Sequence, residues 1–83
     1  MKKIAVNKPV LITAITFNNQ KELREIPRRM EYDGESYTFL DGLQYLIRSG
    51  QHIVRLFDMW DGTRQYRLRS EDSVHWTLVT ISQ

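Results

Sequence analysis

Two Asp-Gly pairs, Asp33-Gly34 and Asp61-Gly62, each separate two runs in which apolar and polar residues alternate. An Asp-Gly pair between alternating runs is the strongest short-range signal for a β-hairpin, because both residues tolerate the backbone of a tight turn. Alternation with a period of two places every second side chain on the same face of a strand. The chain is therefore expected to consist mainly of antiparallel strands.

The first Asp-Gly pair predicts a register if Asp33 and Gly34 alone form the loop. The predicted pairs are Tyr32 with Glu35, Met30 with Tyr37, and Arg28 with Phe39. Apolar side chains then collect on one face of this hairpin and polar side chains on the other, and a slip by one residue would scramble that order. The register is therefore expected to be well determined.

The second Asp-Gly pair predicts a hairpin between His52–Trp60 and Thr63–Arg69. With a two-residue loop, the predicted pairs are Phe57 with Tyr66, Met59 with Arg64, Arg55 with Leu68, Val54 with Arg69, Leu56 with Arg67, and Trp60 with Thr63. After a turn at Ser70–Ser73, the alternation from Val74 to Ile81 predicts a final strand.

Val10–Phe17 is rich in β-branched residues and apolar at both alternating sets of positions, which predicts a central strand covered on each face. Asn18–Lys21 then predicts a turn. One short helix is predicted at residues 42–49, because Leu43, Leu46 and Ile47 recur at helical spacing. Asp41 would cap its amino end and Gly50 would end it.

The predicted fold class is mainly β (a β-rich α+β fold), as a single domain over residues 1–83. It has about six strands in an antiparallel meander or a small, partly open barrel, with the helix between strands 3 and 4. The predicted core comprises Leu11, Ile15, Met30, Tyr37, Phe39, Leu46, Phe57, Leu68, Trp76 and Leu78.

The composition excludes several kinds of chemistry. The chain has no cysteine, so disulfides, thiolate catalysis and cysteine-bound zinc are excluded. No glycine-rich phosphate loop is present, and the two histidines lack metal-ligand spacing. Ser73 and His75 share a face of the last strand, but side chains two residues apart stand parallel and do not converge as nucleophile and base do. We therefore expect no cofactor, no metal and no enzymatic activity.

One face of the second hairpin is the candidate binding surface. Its residues are Trp60, Arg67, Arg69, Val54 and Leu56. Arginine beside an aromatic ring is typical of single-stranded DNA or RNA binding and also of protein interfaces. A third interpretation is that the first strand covers this face and that the arginines only reach outward from it.

From Pro27 onward the chain has a characteristic order of structural residues. They are Pro27, Met30, Tyr32, Gly34 and Tyr37, then the helix, then Phe57, Tyr66, Leu68 and Trp76-Thr77-Leu78. This order resembles small uncharacterised bacterial domains, some of which are attached to DNA-repair polymerase-like proteins. Those domains open with an aromatic residue, a spacer, a glycine and a tyrosine, where this chain has Met30-Glu31-Tyr32-Asp33-Gly34. The resemblance implies no catalytic residue and adds weight to nucleic-acid binding.

The net charge is only +2, from 12 Lys and Arg against 10 Asp and Glu, and no basic or acidic tail is present. The function predicted is a non-catalytic binding or accessory module that acts on a protein partner, with single-stranded DNA or RNA binding as the alternative. A cytoplasmic location without membrane contact is expected, because neither an apolar span nor a signal peptide is evident. Val79 and Ile81 could form an open edge that pairs with a second copy, giving a homodimer, or that the amino-terminal segment caps.

Overall fold

The computed structural model describes residues 2–18, 24–72 and 74–83. The described residues form seven strands and no helix, and so contain no helix capable of crossing a bilayer. The strands are β1 (Lys3–Asn18), β2 (Arg24–Tyr32), β3 (Glu35–Thr38), β4 (Asp41–Ser49), β5 (His52–Trp60), β6 (Gln65–Ser70) and β7 (Trp76–Ser82). The predicted antiparallel, β-rich fold is confirmed, with seven strands in place of six.

All the strands belong to one open antiparallel sheet in the order β3-β2-β1-β7-β6-β5-β4. The sheet consists of two meanders, β1 to β3 and β4 to β7. They meet where the amino-terminal half of β1 pairs with β7, while the other half of β1 pairs with β2. The edge expected at Val79 and Ile81 is not free to pair with a second copy, because β7 lies between β1 and β6. Capping by the amino-terminal segment, the other alternative, is what the structure has.

The two outermost strands of this sheet are joined by only two residues, Phe39 and Leu40. A connection this short brings the end of β3 beside the start of β4, so the sheet has to curl until its two edges approach at one corner. Two backbone hydrogen bonds hold that corner. The Phe39 amide donates to the Arg28 carbonyl at 2.8 Å, and the Leu40 amide donates to the Trp60 carbonyl at 2.7 Å.

Register shifts in the two central strands provide the bend. Between Ala5 and Lys8 of β1, two residues oppose the single residue Val79 of β7. One of the two, Asn7, has a φ of 52°, a left-handed conformation that asparagine tolerates better than most residues. Val79 is in turn an extra residue relative to β6. Such bulges bend a strand and increase its twist, which is what curling this sheet requires.

The concave side of the curled sheet holds the core. Its buried residues are Met30, Phe39, Phe57, Met59, Tyr66, Leu68, Trp76 and Leu78. The Tyr66 ring packs 5.6 Å from Tyr37 and 5.5 Å from Phe39 (between centroids), so β3 packs across the interior onto β6. Tyr37 is half-buried against this cluster, and Met59 and Tyr66 are core residues that the sequence analysis missed.

Three predicted core residues are exposed instead. Leu11 and Leu46 are each 61% exposed, and Ile15 is also exposed. β1 is central in the sheet, but only one of its faces is covered, because a curled single sheet has no second layer outside it. Leu46 lies on β4, at the edge of the sheet.

The Asp33-Gly34 hairpin has the predicted register, with Met30 opposite Tyr37 and Tyr32 opposite Glu35. Asp33 and Gly34 have φ of 53° and 79°, which is the pair of positive values that a type I′ turn requires. The predicted pairing of Arg28 with Phe39 corresponds to the hydrogen bond from the Phe39 amide to the Arg28 carbonyl, just beyond the end of β3.

The Asp61-Gly62 hairpin differs from its predicted register by two residues. Phe57 lies opposite Leu68 rather than Tyr66, because the loop has four residues, Asp61 to Arg64. The cause is the Asp61 carboxylate, whose Oδ1 accepts hydrogen bonds from the amides of Thr63 at 2.8 Å and Arg64 at 2.7 Å. A shift of two residues preserves the face of every side chain, so the predicted faces of the hairpin are correct.

The predicted helix at residues 42–49 is wrong, since this segment is strand β4. It pairs with β5 along its whole length through a two-residue turn at Gly50 and Gln51. Gly50 has a φ of 63° and occupies the first turn position, as in a type II′ turn, instead of ending a helix. Asp41 accepts a hydrogen bond from the Gly42 amide next to it rather than capping a helix.

Candidate binding surface

The five predicted surface residues lie on one face of the sheet. Side chains directly opposite each other in antiparallel strands share a face, and the register pairs Leu56 with Arg69 and Trp60 with Gln65. We call the convex face of β4, β5 and β6 the outer face. It comprises Asp41, Leu43, Tyr45 and Ile47 from β4, Val54, Leu56, Asp58 and Trp60 from β5, and Gln65, Arg67 and Arg69 from β6.

An ion pair lies in the middle of the outer face. Arg67 donates from Nε to Asp58 Oδ1 at 2.7 Å and from a terminal nitrogen to Oδ2 at 2.9 Å. Asp58 is only 7% exposed, so its carboxylate is almost fully covered by neighbouring groups. The hydrogen bonds that Arg67 donates to Asp58 raise the pKa of Arg67, which stays charged. Two parallel bonds of this kind fix the guanidinium in both position and orientation.

Asp58 is absent from the predicted surface residues because the predicted register, which differs by two residues, placed Arg67 opposite Leu56. The signal was nevertheless present, since Asp58 stands between Leu56 and Trp60 in the same alternating set. The residues of β4 are absent from the predicted surface as well, because a helix was predicted there. Leu43, Tyr45 and Ile47 are all exposed and extend the apolar part of the outer face to the edge of the sheet.

The outer face is open. Trp60 is 43% exposed, Arg69 is exposed, and Val54 and Leu56 are half-buried by their own neighbours in the sheet. β1 pairs edge to edge with β7 and does not lie over β5 or β6. The interpretation in which the first strand covers this face is therefore wrong.

A shallow depression of about 180 Å³ adjoins the ion pair on the β7 side. It is lined by Asp58 and Arg67 together with Lys3, Gln65, Thr80 and Ser82. All of these residues are charged or polar, and they come from β1, β5, β6 and β7 of the one sheet. It has room for a side-chain polar group of a bound partner but not for a sizeable ligand, which needs a cavity of at least about 300 Å³.

Asp61 fixes the end of the hairpin that carries Trp60. Besides the amides of its turn, it accepts a hydrogen bond from the Tyr66 hydroxyl at 2.7 Å. Burial alone would raise the pKa of Asp61, but the hydrogen bonds from Arg64, Tyr66 and Thr63 outweigh it, so the pKa is lowered. Burial and the same hydrogen bond raise the pKa of Tyr66. The turn is thus tied to the core through one carboxylate.

A second polar cluster lies at the turn between β6 and β7. Asp72 Oδ1 accepts from the amides of Val74 and His75, and its Oδ2 lies 2.6 Å from His75 Nδ1. The hydrogen bond and the charge of Asp72 raise the pKa of His75, and hydrogen bonds from the same histidine lower the pKa of Asp72. Ser73, which would have to act with His75, lies outside the described residues. The imidazole is 87% exposed, so no enclosed site surrounds it.

Within the described ranges, no three side chains of His, Asp or Glu are grouped so that they could hold a metal ion. The arrangement on the outer face offers apolar contact, one fixed ion pair and one exposed guanidinium. Comparisons of the chain with family models, with curated proteins and with solved structures find no match.

Proposed function

We propose that the protein is a non-catalytic binding module that recognises another protein through its outer face. The observation that carries this proposal is the Asp58–Arg67 ion pair, held in two hydrogen bonds amid exposed Tyr, Leu, Ile and Trp side chains. Aromatic and arginine side chains in an apolar surrounding are the groups that contribute most to binding at protein interfaces.

The ion pair argues against phosphate as the ligand of Arg67. A phosphate that approached this guanidinium would meet the Asp58 carboxylate, whose oxygens already occupy two of its donor directions. Nucleic-acid binding relies on several uncompensated lysines and arginines along the path of the backbone. On the outer face only Arg69 is left after Arg67 is neutralised, and Asp41 adds another negative charge.

The chemistry of the face defines the partner. It fits a protein surface that places apolar side chains over Tyr45, Leu56 and Trp60 and brings a carboxylate or a backbone carbonyl to Arg69. The Asp58–Arg67 pair then serves as a pre-ordered polar group inside the interface, whose side chains need no further ordering on binding.

Photo-crosslinking in the cells that make the protein tests this proposal. A photoreactive amino acid at position 56 is expected to yield one protein adduct, which mass spectrometry identifies. The same residue at position 11, exposed on β1 and outside the outer face, should not. With the identified partner purified, Trp60→Ala is expected to weaken binding at least about tenfold, as truncation of an aromatic anchor does.

Three results would overturn the proposal. The first is an adduct at position 56 with DNA or RNA, supported by oligonucleotide binding that falls steeply with salt and is lost in the Arg67→Ala/Arg69→Ala variant. That result would instead support the single-stranded nucleic-acid alternative. The second is equal crosslinking at positions 56 and 11. The third is binding of the purified partner that Trp60→Ala leaves unchanged.

A further inference from the structure

The two edges of the sheet differ in how they are protected. β3 has four residues, and short strands discourage pairing with other chains. β4 has nine residues, and no charged side chain stands between Asp41 and Arg48. Proteins commonly protect a long edge with lysine, proline, a bulge or a covering segment. β4 has none of these between Gly42 and Ile47, and its register with β5 is uninterrupted.

The free hydrogen-bonding groups of β4 follow from its turn. A two-residue turn is closed by a pair of residues that exchange two hydrogen bonds, here Ser49 and His52. Alternate residues of β4, counted back from Ser49, therefore bond to β5. The residues between them present their amides and carbonyls at the open edge. They are Gly42, Gln44, Leu46 and Arg48.

We infer that a second copy of this chain occupies the edge, with the two β4 strands antiparallel and the symmetry axis at Tyr45. In this register Gln44 lies opposite Leu46 of the second copy and Gly42 lies opposite Arg48, so all the edge-facing residues pair with one another. About eight backbone hydrogen bonds would join the copies. The two curled sheets would become one continuous sheet.

The side chains of β4 favour this occupant and this register. Leu43 would lie opposite Ile47 of the second copy, and Tyr45 opposite Tyr45, in the close pairs where side chains make most contact. A shift of the axis by one residue would put Asp41 opposite Ile47 or leave Leu43 opposite Ser49. In a parallel pair, Asp41 would lie near Asp41 of the second copy and Arg48 near Arg48 of the second copy, so like charges would repel each other. The antiparallel arrangement places these like charges at opposite ends of the paired strands.

This inference goes beyond the proposed function and does not depend on it. The edge of β4 is separate from the centre of the outer face at Leu56 and Trp60. Side-by-side pairing leaves both outer faces open and places them on the same side of the combined sheet. One dimer would thus present the binding surface twice.

Sedimentation equilibrium over a range of concentrations tests the dimer. The mass is expected to rise from 9.9 kDa toward twice that value, with a dissociation constant roughly in the micromolar range, as for a small interface. Leu46→Lys should weaken association at least about tenfold, because it places a charge at each half of the paired edge. Leu11→Lys is the matched control, since both leucines are 61% exposed, and it should leave association unchanged.

Cysteine substitution tests the register, because the chain has no cysteine of its own. Tyr45→Cys alone is expected to give a disulfide-linked dimer under mild oxidation, since the α-carbons of a directly opposed, non-hydrogen-bonded pair lie about 4.5 Å apart, which a disulfide can span. Leu43→Cys and Ile47→Cys should each give no disulfide-linked dimer under the same conditions, and a mixture of the two should crosslink.

A monomer at all concentrations would overturn the inference, as would equal effects of Leu46→Lys and Leu11→Lys. Crosslinking through Leu43→Cys alone would overturn the register. Failure of the proposed function is distinguishable, because Trp60→Ala should not affect association of the copies and Leu46→Lys should not affect binding of the crosslinked partner. If the edge instead takes up an extended segment of that partner, Leu46→Lys would abolish partner binding while the free protein stays monomeric, and this outcome also contradicts the dimer.

Discussion

β5 has two neighbours that use apolar residues very differently. β6 alternates strictly, and it buries Tyr66, Leu68 and Ser70 while its other residues stay accessible. β4 contains four large apolar residues, twice as many as β6, but buries none of them fully. The two strands differ in burial because of what packs against each of them across the interior of the curled sheet. The rings of β3 and of the connection after it pack onto Tyr66 of β6, whereas the four large apolar side chains of β4 are each more than 40% exposed.

This comparison shows that hydrophobic content alone does not place a strand in a core. The burial of a side chain depends on what lies opposite it once the sheet has curled. Apolar residues on β4 are instead available for contacts with other chains, which is how large exposed apolar patches are commonly used. We expect β6 to account for much of the stability and β4 for binding.

Truncation of one leucine in each of the two strands should give the largest difference in the free energy of unfolding. Leu68→Ala is expected to lower the free energy of unfolding by about 3 kcal/mol, because it leaves a cavity in the core. Leu46→Ala should lower it by less than about 0.5 kcal/mol, since the side chain is mostly in water. Urea denaturation at low protein concentration measures both. Equal losses would contradict the assignment of β4 to the accessible edge.

Gly42→Ala tests a place where β4 is tightly packed against β5. A β-carbon at this position would contact the Met59 side chain and lie 2.8 Å from the Asp58 carbonyl oxygen, which is too close. We expect a loss of about 1–3 kcal/mol in the free energy of unfolding, as for other overpacked sites. Ser49→Ala, at the exposed end of the same strand, is the control. If Gly42→Ala leaves the free energy of unfolding unchanged, the start of β4 is packed no more tightly than its end.

Asp61→Asn probes the link between the turn and β6. It keeps an oxygen for the turn amides but loses the charged acceptor of the Tyr66 hydroxyl, so the free energy of unfolding should fall by about 1 kcal/mol at pH 7. The folded-state pKa of Asp61 is lowered, so its contribution is present above the unfolded pKa of about 3.8 and is lost as the pH falls. Thermal unfolding at several pH values should show the two proteins converging in acid. A gap that widens in acid would contradict this account.

The smallest expected effect concerns the exposed Asp72–His75 pair. Asp72→Asn should lower the pKa of His75 toward its ordinary value of 6.5, as measured by NMR titration of the ring protons. Glu71→Gln is the matched control, because it removes a neighbouring charge without touching the hydrogen bond.

The sign of the pH dependence differs between the two partners. The raised pKa of His75 stabilises the folded state fully below about pH 6.5, and this stabilisation is lost as the pH rises through the pKa of His75 in the folded state. The lowered pKa of Asp72 stabilises the folded state above about pH 3.8, and this stabilisation is lost as the pH falls through the pKa of Asp72 in the folded state. The pair therefore acts mainly between these values. A His75 pKa that Asp72→Asn does not change would show that the hydrogen bond is absent in solution.

The turns explain which parts of the fold could be predicted. At Asp33-Gly34 both turn residues adopt positive φ, so counting from the loop placed every pair correctly. At Asp61-Gly62 the aspartate carboxylate accepts hydrogen bonds from two backbone amides, and the loop is two residues longer as a result. The sequence pattern alone does not indicate these hydrogen bonds. The residues of β5 and β6 were nevertheless assigned to the correct face, because a shift of two residues preserves the alternation, but the partner of Arg67 was not predicted.

β4 shows where local pattern is insufficient. Leu43, Leu46 and Ile47 suit one side of a helix as well as they suit two faces of an edge strand, and a strand exposed on both faces loses the strict alternation that identifies it. Leu11 and Ile15 were misplaced for a related reason. A continuous apolar run predicts a strand that is buried on both faces, although in a single curled sheet only the concave face is buried.

The pairing of β1 with β7 also has a consequence for biosynthesis. β1 stays unpaired on this side until β7 has also been synthesised, because Lys3 lies opposite Ser82. The β4–β5–β6 meander can form on the nascent chain, whereas the central seam of the sheet closes only after residue 82 has emerged. Until then the unpaired length of β1 is exposed to chaperones and to other nascent chains. Truncation ahead of β7 should therefore prevent folding of the whole domain rather than remove one strand from it.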